Sequence, residues 1–195
     1  MKLVLASTSP IRGELLTRAG LVFEAVKPEV DEAELKRSTR HLSPEGLAQS
    51  LAAAKAVSVA NRMADAIVIG ADQVLNLDGR SFDKPTSREA ARRQLVELRG
   101  KIHFLETGLC CAHSGKVVWQ HLGRARLTMR AFSDNFLDDY LLHMGEEVTT
   151  SVGAYKLEGL GIQLFDGIEG DYFTILGLPL LPLLDFLRRK GALAA

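Results

Sequence analysis

The sequence predicts a mixed α/β fold, and three patterns carry that prediction. A short apolar run, Leu3–Ala6, predicts a buried strand, and the helical spacing over 11–19 predicts the helix that follows it. A second apolar run over 66–70 predicts another buried strand. Two segments, 102–112 and 116–120, are separated by the short turn His113-Ser114-Gly115 and are typical of a long hairpin.

Capping residues mark where most of the other helices begin. A helix from Ser43-Pro44 runs to about 63, a capping box over 86–89 begins a helix that ends at Gly100, and Ser133 caps a helix over 134–144. The other predicted elements, in chain order, are a strand over 21–26, an acidic loop over 29–32, a loop over 82–85, an alternating strand over 123–130, a glycine-rich stretch over 153–161 and an amphipathic helix over 179–190.

Length and composition predict one domain over 1–195, or one with a pronounced two-lobed shape. A hydrophobic content of 47% is enough for a sizeable core. The longest apolar stretches are too short or too interrupted to span a bilayer, and residues 1–6 lack the pattern of a signal peptide. We therefore expect a cytoplasmic protein that does not act on a membrane.

The charge balance limits the partners of the chain. The 24 basic and 24 acidic residues give a formal net charge of zero, which disfavours a nucleic acid polymer and leaves a small anion possible. The two cysteines, Cys110 and Cys111, are adjacent in an apolar run, where neighbours point to opposite faces of a strand. We expect buried, inert thiols there.

The first candidate site lies between the first strand and the first helix. Ser9 suits an N-cap and Pro10 the first helical position. Arg12 falls in the first turn, where a cation is disfavoured unless an anion binds there. Together with free N–H groups and the Ser7 and Ser9 hydroxyls, its guanidinium has the chemistry to hold a phosphate. The alternative is an ordinary capped helix with a solvated arginine.

Carboxylates form the second candidate set. Asp72 follows a strand at its C-terminal end, where open α/β sheets place their ligands, although it also suits a simple turn cap. Glu32 belongs to an acidic pair that fits a solvated loop equally well.

Lysines form the third set. Lys84 precedes a proline, so its backbone is extended and its ammonium can be aimed. Lys55 and Lys156, taken singly, fit side chains that cover apolar surface. Carboxylates and cations together suggest a triphosphate bound through a divalent metal, with a carboxylate placed to deprotonate an attacking water.

These residues resemble the signature of the Maf (septum-formation) nucleotide pyrophosphatase family. The match runs in order through nearly the whole chain. The matching segments are LASTSPIRGELL at 5–16, VDE at 30–32, GADQV at 70–74, DKP at 83–85, LRG at 98–100, GAYKLEGLG at 153–161 and GLPL at 177–180.

The resemblance implies an elongated, Maf/ITPase-like mixed sheet with flanking helices and a central cleft, and a possible homodimer. It implies hydrolysis of a nucleoside triphosphate between the α and β phosphates with a divalent metal such as Mg, Mn or Co. By position, Asp72 would be the catalytic base, and Glu32 with Asp72 would serve the metal. The substrate-binding residues would be Ser7, Ser9, Arg12, Lys55, Lys84 and Lys156.

Three positions distinguish branches of the family. Gln73 and Glu158 resemble the branch that hydrolyses 7-methyl-GTP, where a carboxylate can accept from the guanine edge and offset the cationic methylated ring. Ile11 departs from that branch, which often carries tryptophan there. The alternatives are a dTTP/UTP pyrophosphatase of the same family, or a nucleotide-binding regulator of septum formation.

Overall fold

The computed structural model describes residues 2–194, and its central element is a seven-stranded mixed sheet. The strand order is β2-β1-β3-β5-β6-β7, with β4 paired to β3. Strand β1 is parallel to β2 and β3, and the remaining pairs are antiparallel. The strands are β1 (Lys2–Ala6), β2 (Glu24–Ala25), β3 (Ala66–Leu77), β4 (Arg80–Phe82), β5 (Ile102–His113), β6 (Lys116–Met129) and β7 (Phe165–Glu169).

Helices flank this sheet on both faces. Short 3₁₀ turns at 145–149, 152–154 and 160–164 occupy the glycine-rich part of the chain. The α-helices are α1 (Pro10–Arg18), α2 (Glu32–Ser38), α3 (Pro44–Ala60), α4 (Arg88–Leu98), α5 (Asp134–Met144), α6 (Tyr172–Ile175) and α7 (Leu180–Arg189).

Helix α3 lies unusually close to strands β3 and β5. A Cβ atom at Gly70 would lie 2.4 Å from the Ala52 carbonyl oxygen, and one at Gly108 would lie 2.3 Å from the Ala48 carbonyl oxygen. Such separations are sterically forbidden, so only glycine permits this approach. The backbone of the helix therefore rests directly on the sheet, and the direction of its other side chains is set by that contact.

Three clusters of buried side chains make up the core. One joins α3 to β1, β3 and β5, a second joins α1 and α7 to the opposite face of the same strands, and a third joins α4 and α5 to the far halves of β3, β5 and β6. Cys110 belongs to the first cluster and Cys111 to the second, which confirms that they point to opposite faces. Both thiols are free and buried, and burial raises the pKa of Cys110 to about 12.

The predicted mixed α/β fold is confirmed, with its sheet, flanking helices and a central cleft. The hairpin is confirmed too, but its second strand is one element from Lys116 to Met129 and includes the segment that we predicted separately over 123–130. The strand predicted over 21–26 is reduced to Glu24–Ala25. Helix α6 and strand β7 were not predicted at all.

Two local expectations about caps and loops are wrong. The acidic segment 29–32 is not wholly a loop, because Glu32 begins α2 and Asp31 caps it by accepting from the Glu34 N–H at 2.9 Å. Helix α4 begins one residue later than a capping box headed by Thr86 requires, since Ser87 is the N-cap and accepts from the Ala90 N–H at 3.1 Å. At α4 the neighbouring cap, Ser87, sets the register in place of Thr86. No helix within residues 2–194 is long and apolar enough to cross a membrane.

Replacing Gly70 by alanine tests the close packing of α3. We expect the free energy of unfolding to fall by about 3 kcal/mol, because the added methyl group has to displace the helix backbone. Gly167→Ala in β7 is the matched control, since the nearest atom to its added Cβ is at 3.8 Å. Urea denaturation of both variants measures the difference, and equal midpoints would contradict the packing argument.

Candidate functional site

One cleft of about 1010 Å³ lies beside the C-terminal end of β1. It is bounded by the start of α1, the middle of β3, the loop after β4 and the glycine-rich turns. Every residue that the sequence singled out lines it. These residues are Ser7, Ser9, Ile11, Arg12, Glu32, Lys55, Asp72, Gln73, Lys84, Lys156 and Glu158.

We expected Asp72 at the C-terminal end of its own strand, and this expectation is wrong. Strand β3 continues to Leu77, and Asp72 lies within it. The neighbouring strand β1, however, ends at Ala6, which pairs with Gly70. Asp72 is therefore two residues past the end of β1, where the sheet edge is open and a ligand can approach the carboxylate.

An ammonium group joins the two predicted carboxylates. The Lys55 Nζ lies 2.5 Å from Asp72 Oδ1 and 2.9 Å from Glu32 Oε1. The side chains of Lys55 and Asp72 are only 10% and 13% exposed, whereas Glu32 is 47% exposed. The expectation that Lys55 only covers apolar surface is thus wrong. A largely buried pair of opposite charges is held on the floor of the cleft, with Glu32 at its solvent side.

Arg12 reaches across the cleft floor to two other parts of the chain. Its Nε donates to the Gly177 carbonyl at 2.8 Å, and an Nη donates to the Ala71 carbonyl at 2.9 Å. Burial lowers the pKa of Arg12, and the opposite charges of Asp72 and Glu32 counter that shift. A guanidinium remains charged in such a setting. Because it donates to two carbonyl groups of the fold, the alternative of a solvated arginine is wrong.

The start of α1 presents polar groups to the same space. Ser9 is the N-cap by position, but its side chain makes no capping hydrogen bond. Its N–H instead donates to the Ser7 hydroxyl at 3.1 Å. The uncapped amide groups of the first turn and both hydroxyls lie beside the cleft, an arrangement that suits an anion.

The two remaining lysines differ in their surroundings. Desolvation lowers the pKa of Lys84, as does repulsion from Arg12 and Lys55, and Asp72 and Glu32 offset part of this. Arg12 and Lys55 are therefore close enough to repel the Lys84 ammonium, and a bound anion would relieve that repulsion. Lys156 forms an ion pair with Glu147 at 2.9 Å, so this lysine is only partly available to a ligand.

The three specificity positions all line the cleft, but they do not lie together. Ile11 and Glu158 also line a second, smaller cavity that adjoins it. Gln73 points to the opposite face of the sheet from Asp72, and its amide nitrogen is 2.9 Å from the Thr107 hydroxyl and 2.9 Å from the Thr174 carbonyl oxygen. It also lies 3.0 Å from the Ile175 carbonyl oxygen.

Some contacts of the cleft were not predicted. Glu147 holds Lys156, and an ion pair joins Lys36 to Asp83. Lys36 and Asp83 lie far apart in the sequence, and Glu147 and Lys156 lie among the short turns after α5. Neither periodicity nor spacing therefore predicts these ion pairs. Within residues 2–194, no group of three or more His, Cys, Asp or Glu side chains could hold a metal ion on its own.

Comparison with known proteins gives consistent matches over the whole chain. The profile of the family described as Maf-like protein matches residues 2–190. A nucleoside triphosphate pyrophosphatase of Paramagnetospirillum magneticum is 52% identical, covering 97% of this chain and 99% of that protein. A 7-methyl-GTP pyrophosphatase of Rhizobium meliloti is 48% identical, covering 99% and 98%, respectively.

One solved structure also resembles the chain. It is a nucleoside-triphosphatase / dITP/XTP pyrophosphatase from Mycobacterium abscessus, with 15% identity and a TM-score of 0.42, covering 98% of this chain and 95% of that one. That TM-score is too low for a comparison of the two sites.

Replacing Arg12 by lysine tests whether the fork of this side chain joins β3 to the Gly177 loop. A lysine cannot reach both carbonyls, so we expect the free energy of unfolding to fall by about 2 kcal/mol. The control is Arg18→Lys, because Arg18 is exposed and, among residues 2–194, forms its ion pair with Glu14 of its own helix. Chemical denaturation measures the free energy of unfolding of both variants. If Arg18→Lys is as unstable as Arg12→Lys, Arg12 does not join β3 to the Gly177 loop in this way.

Proposed function

We propose that this chain, which belongs to the Maf-like protein family, is a nucleoside triphosphate pyrophosphatase that prefers 7-methyl-GTP. The reaction would break the anhydride bond between the α and β phosphates with water and release the monophosphate and pyrophosphate. The names of relatives at 52% and 48% identity support the reaction class. The observation that carries the proposal is the convergence of Asp72, Lys55 and Arg12 in one cleft.

The phosphate chain would lie along the cationic side of the cleft. Arg12 already uses two donors on carbonyl oxygens, which hold its guanidinium still and leave its other N–H groups for an oxyanion. Lys84 and the first-turn amides of α1 would add charge and donors around the same phosphates. Groups fixed before the substrate arrives stabilise the charge that builds up during phosphoryl transfer most effectively. Ser7, Ser9 and Lys156 complete the proposed binding set.

Asp72 would accept the proton of the attacking water. Lys55 holds one of its oxygens at 2.5 Å, which orients the carboxylate and leaves the other oxygen for the water. A general base needs hydrogen-bond reach of the proton that it removes, and the position beyond the end of β1 provides that access. Lys55 thus orients the Asp72 carboxylate and also adds positive charge to the site.

The carboxylate pair fits a divalent metal ion such as Mg, Mn or Co. Mg²⁺ is bound by one or two protein carboxylates together with substrate phosphates, so Glu32 and Asp72 form a sufficient donor set without a third acidic ligand. When bound, the ion would polarise the phosphoryl oxygens and neutralise part of their charge. Lys55 contacts one oxygen of each carboxylate, which leaves the other oxygen of each available to the ion.

The base would lie toward Ile11 and Glu158. The Glu158 carboxylate is exposed beside the cleft and could accept from the guanine edge and offset the cationic methylated ring. Gln73 is the third proposed specificity position.

A single two-lobed domain over 1–195, a homodimer and a cytoplasmic location stay predictions. Met1 and Ala195, the ends of that domain, lie outside the described residues.

A substrate panel tests the proposed activity. With Mg²⁺, we expect many turnovers per chain, faster for 7-methyl-GTP than for GTP, dTTP or UTP, and loss of turnover after chelation with EDTA. Pyrophosphate release measures each rate. Faster hydrolysis of dTTP or UTP would overturn the preference and leave the reaction class intact. Release of no more than one pyrophosphate per chain would favour the nucleotide-binding regulator.

Asp72→Asn tests the assignment of the base. The amide cannot accept the proton, so we expect kcat to fall by about a hundredfold or more. Asp78→Asn is the matched control, because Asp78 lies in the exposed turn after the same strand and has a positive φ of 53° that asparagine tolerates. Wild-type turnover in Asp72→Asn would refute the role. Circular dichroism checks that both variants fold.

A further inference from the structure

A second cavity of about 530 Å³ opens beside the cleft, between α1, α6 and the start of α7. Ile11, Glu14, Glu158 and Leu176 line both spaces, so the cavity continues the cleft rather than forming a separate site. Its volume lies in the range of small-molecule sites, which is about 300–1,000 Å³. A nucleotide whose phosphates lie at Arg12 could therefore place its base here.

The walls of this second cavity combine aromatic, aliphatic and acidic surface. Tyr172 and Phe173 provide the aromatic part. Glu14 is neutralised by Arg18, which lies 2.5 Å away on the same helix. The ion pairs within residues 2–194 do not involve Glu158, so its carboxylate is the uncompensated charge of the cavity. Such a space suits a flat ring that carries positive charge.

The two aromatic residues are not equivalent. Phe173 is partly buried and packs against the core cluster of α1 and α7. Tyr172 is 48% exposed, although it lies on a short helix whose other residues are buried or partly buried. An exposed ring surface at a cavity wall is available for stacking on a ligand.

The helix that carries Tyr172 is held by polar contacts from the sheet. The Gln73 amide nitrogen contacts the carbonyl oxygens of Thr174 and Ile175 at 2.9 and 3.0 Å. The Thr107 hydroxyl donates to the same Thr174 carbonyl at 3.0 Å, and Asp171 accepts from the Thr174 N–H at 2.8 Å. Because three acceptors surround the Gln73 nitrogen, it has no donor left for a base.

We propose that Tyr172 determines specificity by stacking on the methylated purine in the second cavity, and that Gln73 acts as a positioning residue for the helix beneath it. This inference rests on the proposed function. A 7-methylguanine ring is cationic, and a cation is attracted to the face of an aromatic ring. Position 11, which is isoleucine here, offers no such face. Tyr172 supplies it from another part of the chain.

Tyr172→Leu tests the stacking role, because leucine keeps apolar volume and removes the ring. We expect the ratio of kcat/KM for 7-methyl-GTP over GTP to fall on the order of tenfold, mainly through a higher KM for 7-methyl-GTP. Tyr172→Phe keeps the ring and is expected to retain the wild-type ratio. Leu142→Ala, an exposed apolar residue that lines neither cavity, is the control for surface truncation.

A double-mutant cycle separates positioning from direct reading by Gln73. Gln73→Met removes the amide and keeps the length of the side chain. If Gln73 acts through Tyr172, its effect on the substrate ratio disappears in the Tyr172→Leu background. Equal effects of Gln73→Met in both backgrounds would overturn the positioning role.

The outcomes also distinguish this inference from the proposed function. A wild-type chain that prefers 7-methyl-GTP, together with a Tyr172→Leu variant that keeps the same preference, would overturn the inference alone. A wild-type chain without that preference would overturn the proposed substrate and the stacking role together. Binding of 7-methyl-GMP and GMP, measured by calorimetry, gives the same comparison without turnover, so a slow variant remains informative.

Discussion

The contact between α3 and the sheet is the constraint on which the site depends. Two glycines, Gly70 and Gly108, let the helix backbone rest on β3 and β5. One turn beyond Leu51 on that helix, Lys55 then lies at the right depth to reach Asp72, with its stem buried and its ammonium between two carboxylates. A displaced helix would carry Lys55 away from Asp72, and a buried carboxylate that loses its counter-charge is costly. Packing and chemistry are therefore linked through one helix.

The hydrogen bonds of Arg12 stabilise the opposite side of the cleft. Arg12 belongs to the first turn of α1, and its guanidinium donates to carbonyl groups of β3 and of the loop before α7. Segments near the start, middle and end of the chain thus meet at one guanidinium. The same loop follows α6, which Gln73 holds from the face of β3 that packs against α1 and α7. Neighbouring residues of one strand, 72 and 73, therefore support the two ends of the cleft on opposite faces of the sheet, as strand geometry requires.

Much of this arrangement could be predicted from the sequence, and the failures have physical causes. Strand β1, helix α5 and the hairpin have strong periodicity and clear caps, so their prediction holds. Helix α6 is a four-residue element supported by tertiary contacts, and its propensity signal is weak. Lys55 was misjudged on its own because its two partners lie on different elements, which spacing along the chain does not reveal. The family resemblance placed it in the site; local pattern did not.

Charge is divided along the cleft, although the whole chain is neutral. The cations Arg12, Lys55 and Lys84 line one end of the cleft, where desolvation and then repulsion from Arg12 and Lys55 lower the pKa of Lys84. The adjoining cavity carries the opposite sign, through Glu158. An elongated ligand with an anionic tail and a cationic head would be attracted to the cations of the cleft and to Glu158 at once. A ligand with the same tail and an uncharged base would be attracted to the cations only. If the proposed binding mode holds, discrimination between two triphosphates with the same tail arises in the second cavity, where that mode places the head.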